Sequence, residues 1–326
     1  MNLKRKMNRF AILILAAGFF VSAANGQQQP SSAKAVQLMG LAGVKHNTPG
    51  KLAVENGNLR FVHSNASTDL PANSVQDVVT GSDSQRVIRG TLGTLSMFGP
   101  YGSDRFMSLF RTKLDTLTIQ FRDADGGLHG VVFTMPVGTA EVKKNELIAL
   151  GAHTSIPNQG SPSADSPNTP GVKEAAVPAQ ERKPEKKNAS AIVVMMIQSD
   201  EIKLPAEFQI ALYENLIEQL QKNSGFQHIY REGDQKSAGD PNVVILHSTV
   251  RGFKQGSEMA RQVTTVAGET SIHVHCEFTD NSGKLLLARD IEGKVRFFGA
   301  NLRATLDFAK KAASVTQENF SPAAGS

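Results

Sequence analysis

The chain has 326 residues, 40% hydrophobic and 20% charged, with 28 glycines, a composition that excludes a collagen-like repeat and wholesale disorder and suits two modest domains. It holds no Trp and a single Cys, Cys276, so a thiolate metal cluster and a disulfide framework are both excluded. A formal charge of +5 invites a nucleic-acid partner until the source of the charge is located.

That source is the front of the chain. Lys4, Arg5, Lys6 and Arg9 precede an apolar run from Phe10 to Val21, the layout of a secretory signal peptide, and the run is shorter than the roughly 20 residues needed to span a bilayer. Val21-Ser22-Ala23 and Ala24-Asn25-Gly26 offer small-residue cleavage sites. Cleavage after Gly26 would remove residues 1–26, with four basic residues and no acidic one, and lower the formal charge from +5 to +1. The expectation is a bacterial protein of the periplasm or the medium, with no nucleic-acid partner and no transmembrane helix after processing. No Cys follows the signal to carry a lipid, and Cys276 reads as a buried, inert thiol.

Residues 34–151 read as short antiparallel strands closed by one helix. Leu52-Ala53-Val54 and Leu59-Arg60-Phe61-Val62 flank Glu55-Asn56-Gly57-Asn58, a hairpin because Asn-Gly accepts the positive φ angles of a tight turn. Val75, Val78 and Val79 mark another strand. Leu117, Ile119 and Phe121 alternate with Thr118 and Gln120; the chain then turns at Asp123 to Gly127, returns through Val131-Val132-Phe133 and stops at Pro136. The segment Glu141–Leu150 is a helix with Val142, Leu147 and Leu150 as its apolar residues and Gly151 at its stop. The stretch Gly90–Arg111 fits either a helical turn or a strand. In the order of Leu117–Phe133 and its closing helix, this half resembles the pleckstrin-homology-like and GRAM-like superfold. The resemblance implies a bent antiparallel barrel plugged by a C-terminal helix and serving as a binding platform. Some members bind phosphoinositides through basic residues in the first hairpin, where this chain has Glu55-Asn56-Gly57-Asn58 and no cation.

Six prolines punctuate residues 152–190, and Glu181-Arg182-Lys183-Pro184-Glu185-Lys186-Lys187 prefers water, so this stretch reads as a spacer. Residues 191–316 then read as an α+β sandwich with an antiparallel-rich sheet and two helices, followed by a tail, 317–326. Ala191–Ile197 is a buried strand. Pro205 opens a helix to Lys222 with Phe208, Leu212, Tyr213, Leu216, Ile217 and Leu220 inside and Glu214, Glu218 and Gln221 facing water. Phe226–Tyr230 is a short strand, Val243–Phe253 a longer one, and Asp280-Asn281-Ser282-Gly283 joins Ile272–Phe278 to Leu285–Phe298. Asn301 caps a last helix with Leu302, Leu306, Phe308, Ala309, Ala312 and Ala313 on its apolar arc.

In Gly256-Ser257, Ala260-Arg261, Ala267-Gly268 and the hairpin around Asp280 and Gly283-Lys284, this half resembles an uncharacterised domain family of exported bacterial proteins and lipoproteins. Its general shape is similar to the periplasmic domain of curli-secretion lipoproteins and the N-terminal domain of the Tol-system beta-propeller protein. The resemblance implies a compartment and a fold, not a reaction.

No catalytic constellation emerges. His273 and His275 share a strand face with Glu277 alone, which reads as a solvated face. Asp123 and Asp125 begin like a calcium loop, but Gly127 takes the third acidic position and Thr134 the twelfth. Nucleophile-elbow, H-E-x-x-H, Walker A and G-x-G-x-x-G motifs are missing. The expected protein is therefore a non-enzymatic binding or scaffolding module of the cell envelope, without cofactor or metal. Its expected partners are envelope proteins, met through exposed sheet edges or through the loop carrying Gly256, Ser257 and Arg261. A peripheral lipid-binding protein and an envelope-polymer hydrolase are the alternatives.

Overall fold

The computed structural model describes residues 32–81, 114–155, 187–199, 202–240, 242–256, 268–295 and 301–322. The signal segment 1–26, the stretch Gly90–Arg111, most of the spacer, Ser257 and Arg261 lie outside the described residues. The fold is α+β, with a seven-stranded and a five-stranded sheet, a small two-stranded sheet and, among the described residues, three helices. No helix among the described residues is long and apolar enough to cross a membrane.

The first sheet is antiparallel throughout and contains β1 (Ala33–Met39), β2 (Thr48–Glu55), β3 (Asn58–His63), β4 (Ala66–Pro71), β5 (Val75–Thr80), β6 (Leu114–Arg122) and β7 (Leu128–Pro136), in the order β4-β3-β2-β1-β7-β6-β5. The β2–β3 turn has Asn56 at φ 51° and Gly57 at φ 77°, the double left-handed geometry that Asn-Gly favours. The expected barrel does not close among the described residues. Its end strands β4 and β5 follow one another in the chain through a single 3₁₀ turn, Ala72–Ser74, which brings the two edges together at one corner. No ladder joins them; Pro71 ends β4 without an N–H to offer.

Helix α1 (Thr139–Ala149) covers this sheet and ends in a Schellman motif, with Gly151 at φ 95° and the Ala152 N–H donating to the Leu147 carbonyl. Its inward face is not the expected one. Val142 and Leu150 are exposed, whereas Ala140, Lys143, Lys144 and Leu147 are buried; the lysine stems supply apolar cover, and the Lys143 ammonium meets Glu146 Oε2 at 2.7 Å.

Gln37 is fully buried in β1, opposite Phe133 and Thr48, with neither amide atom hydrogen-bonded. An unsatisfied buried amide costs free energy that a thioether of similar volume does not. Gln37→Met is therefore expected to stabilise the protein by about 1–3 kcal/mol, read as a rise in the urea midpoint at constant m-value. An unchanged or lower midpoint would show that the amide is satisfied in solution.

The second sheet contains β9 (Ala191–Val194), β10 (His228–Arg231), β11 (Val243–Lys254), β12 (Thr270–Thr279) and β13 (Leu285–Val295), in the order β10-β9-β11-β12-β13. Strand β9 is parallel to both neighbours and wholly buried, as its continuous apolar run requires. On β12 the alternation holds: Ile272, Val274, Cys276 and Phe278 are buried and His273 and Glu277 exposed. Helices α2 (Ala206–Asn223) and α3 (Arg303–Asn319) pack against each other, and Phe208, Leu212, Leu216, Phe308 and Ala312 join the core over this sheet. Asn301 does not cap α3. The helix starts at Arg303, and the Asn301 carboxamide oxygen accepts from the Thr270 hydroxyl instead. Two short strands, β8 (Lys187–Ala189) and β14 (Phe320–Pro322), pair in parallel where spacer and tail were expected.

Candidate functional site

The two sheets meet through α2. The helix is buried on both sides: Leu212 and Leu216 face its own sheet, while Ile210 and Ala211 pack on Met39 and Val132 of the first. A bulge in β1 between Gln37 and Met39 sets Met39 opposite Val132 and makes that contact. Glu214, expected in water, is 8% exposed in its side chain because the first sheet closes over it.

Both Glu214 oxygens are hydrogen-bonded. Arg231 donates through Nη1 to Oε1 and through Nη2 to Oε2, each at 2.8 Å, and the Gly130 N–H of β7 donates to Oε1 at 2.8 Å. Arg231 also donates to the Leu128 carbonyl at 3.0 Å and lies 5.7 Å from the centre of the Tyr213 ring. Burial works against the Arg231 charge, but the Glu214 carboxylate outweighs it and raises the guanidinium's pKa. Backbone bonds extend the seam: the Leu128 N–H to the Glu232 carbonyl, and the Gln235 N–H to the Asp125 carbonyl. The Asp123–Gly127 turn is thus a docking element as well as a hairpin end, with Lys236 Nζ 2.5 Å from Asp125 Oδ2.

This docking creates a groove between the β1–β2 loop, α2 and α3. One section encloses about 690 Å³ and a second about 160 Å³, and His46 and Leu306 border both. His46 is held over α2 by the loop, in which Asn47 adopts φ 60° and donates its N–H to the Leu38 carbonyl. Its Nε2 lies 3.5 Å from Glu218 Oε2, and Glu218 also pairs with Lys222 at 2.5 Å. The inner wall is fixed by Asn215, whose Nδ2 donates to Thr305 Oγ1 at 2.8 Å. At the outer end, Lys310 is exposed and makes no ion pair among the described residues, with Gln317 beside it in the wall. Leu38, Leu302 and Leu306 add apolar floor. Chemically, the groove offers hydrogen-bonding groups and an uncommitted cation over an apolar base, suited to an extended polar ligand carrying negative charge.

No family model matches the chain, and no curated protein does. Among solved structures it is similar to the PelC dodecamer from Paraburkholderia phytofirmans, at 12% identity over 41% of this chain and 93% of that one, with a TM-score of 0.31. It is also similar to a predicted lipoprotein from Caulobacter crescentus, at 18% identity over 38% of this chain and 84% of that one, with a TM-score of 0.25.

The expected loop site enters the structure only at Gly256. Its N–H donates to Thr270 Oγ1 at 3.0 Å, and a Cβ there would stand 1.9 Å from the Gly268 carbonyl oxygen. Gly256 therefore fixes the base of the β11–β12 connection; Ser257 and Arg261 lie outside the described residues. His273 and His275 do not converge. His275 contacts Asp290 through Nδ1 at 2.7 Å and Glu277 through Nε2 at 3.2 Å, and His273 contacts Glu292 at 3.3 Å. Among the described residues, no group of three or more His, Cys, Asp or Glu could hold a metal ion. Burial pushes the Cys276 thiol up to about 12, far from a thiolate at neutral pH.

Side chains occupy much of the β13 edge. Lys187 donates to the Leu286 carbonyl, Arg289 to the Ala288 carbonyl and Lys311 to the Glu292 carbonyl, while Asp307 accepts the Lys294 N–H. Of the first sheet's two edges, β5 is overlaid by Thr154 and Ser155, which bond Val78 and Asp77. The more open edge is β4, short and largely exposed.

The docking turn carries an acid-sensitive pair. Asp123 Oδ2 meets His129 Nε2 at 2.8 Å, and Oδ1 accepts the N–H groups of Asp125 and Gly127. Burial pulls the His129 pKa below its ordinary 6.5, and Arg231 lowers it further. Burial pushes Asp123 up, but the bonds from His129 and the turn backbone prevail and leave it below its ordinary 3.8. Both groups take up protons more readily in the unfolded chain, so stability falls on acidification, first below 6.5 through His129 and then below 3.8 through Asp123. His129→Gln should flatten the upper part of that profile in urea titrations from pH 7 to 5; an unaltered slope would remove His129 as its source.

Proposed function

We propose that this chain is an exported bacterial envelope protein, periplasmic or secreted, that works by binding a partner rather than by catalysis. The observation that carries the reading is the groove itself. The β1–β2 loop meets the packed pair α2 and α3 there across a seam held by Ile210 and Ala211 on Met39 and Val132 and by the bonds of Glu214 and Arg231 to Gly130 and Leu128. Its donors and the uncommitted Lys310 suit an acidic, extended segment of an envelope protein. The basic residues ahead of the apolar run Phe10–Val21 support export, and the side-chain bonds along β13 leave that edge less open to a partner strand.

The test is a photo-crosslinker at Gln317, with one at Lys284 on the β12–β13 turn as control, in intact cells expressing the full precursor. The expected result is one reproducible adduct from Gln317, lost with Lys310→Glu, and a mature chain beginning at Gln27 by mass spectrometry. Recovery of uncrosslinked monomer alone, equal capture at both positions, or an unprocessed chain in the cytoplasm would overturn the proposal.

A further inference from the structure

Helix α2 covers only part of the outer face of the first sheet. Beyond Met39 and Val132 the face continues as an open trough of about 710 Å³, bordered by Val36, Pro49, Val62, Leu114 and Pro136. Val62 is 41% and Leu114 60% exposed, so this is apolar surface left in water. The volume falls in the range of small-molecule sites, which are mostly apolar with a few placed polar groups.

The polar groups here are unusual. Lys34 and Lys51 face each other directly across the β1–β2 ladder, and both are exposed and border the trough. Like charges in that position repel, and no carboxylate pairs with either lysine among the described residues. Lysine stems add to an apolar wall while their ammonium groups stay at its lip. An anion placed between them would relieve the repulsion, and a hydrocarbon chain attached to it would cover the exposed Val62 or Leu114.

We infer that this trough binds a single-chain anionic amphiphile, with its carboxylate or phosphate head between Lys34 and Lys51 and its alkyl chain along Val36, Pro49 and the Leu114–Pro136 pair. Neither charge nor chain suffices alone: a hydrophilic anion leaves the trough wet, and a cationic amphiphile meets two like charges. The concave shape accommodates one chain, which favours a monomeric ligand over a membrane surface. The trough shares no lining residue with the groove between α2 and α3.

Titration calorimetry on the full mature chain tests this with four probes: dodecanoate below its micelle concentration, dodecyltrimethylammonium, inorganic phosphate, and anionic phospholipid vesicles. Dodecanoate should bind with unit stoichiometry, and Lys34→Gln/Lys51→Gln should weaken it about tenfold. Leu114→Ser should weaken it too while leaving the far-UV spectrum unchanged; both lysines and Leu114 are exposed, so the variants keep the fold. The inference is overturned if dodecanoate fails to bind, if the double variant binds it equally well, or if the ammonium surfactant matches it. Phosphate binding as tight as dodecanoate would reduce the site to a plain anion site, and lysine-dependent vesicle binding without dodecanoate binding would reassign it to a membrane surface; either result overturns the inference.

Discussion

Arg231→Met is expected to cost about 3–5 kcal/mol of stability. Glu214 would remain almost wholly buried with only the Gly130 N–H to hold its charge, and the Leu128 carbonyl would lose a donor. An uncompensated buried carboxylate is the expensive outcome; removal of both charges is much less so. The double variant Arg231→Met/Glu214→Met should therefore recover most of the loss, short of the part due to the orphaned Gly130 N–H and Leu128 carbonyl. Urea unfolding followed by far-UV circular dichroism suits the measurement, since the chain has no Trp. A single-variant loss under about 1 kcal/mol, the range of exposed ion pairs, would mean that the sheets are not coupled through this pair.

What could be read in the sequence is what local chemistry determines. Asn56-Gly57 fixes a turn through the φ angles its own residues tolerate, and the alternation from Ile272 to Phe278 follows from one strand having one buried face. The readings fail where burial is set by distant chain. Periodicity puts Glu214 on the polar side of α2, and it is buried only because β7 arrives from 84 residues earlier to donate the Gly130 N–H. On α1, Lys143 and Lys144 take the inward face in place of Val142 and Leu150, since an aliphatic stem can bury while its charge reaches a partner. The groove leaves no local trace, because His46, Glu218 and Lys310 meet only in the folded chain. One signal was present: Gly130 interrupts an otherwise bulky strand, and a glycine inside a strand marks close approach by another element.

That glycine carries the second large expectation. A Cβ at Gly130 would lie 2.5 Å from both the Cδ1 and Cγ2 atoms of Ile210, so Gly130→Val forces β7 and α2 apart at this contact. Overpacking of this kind costs about 1–3 kcal/mol on its own. Here the retreating strand also withdraws its N–H from Glu214, so the loss should reach the upper end of that range or exceed it. Ile210→Ala alone should cost about 2–5 kcal/mol through the cavity it leaves. Combined, the substitutions should destabilise by clearly less than the sum of the two, since the truncated side chain frees the space that the valine needs. Amide hydrogen exchange locates the effect: in Gly130→Val, protection should fall first at Leu128, Gly130 and Gln235, whose N–H groups form the seam, with the central pairs of β11 and β12 still protected. Strict additivity of the two substitutions, or exchange rising uniformly through both sheets, would mean that Gly130 is only one packed position among many and that the docking of the sheets does not turn on it.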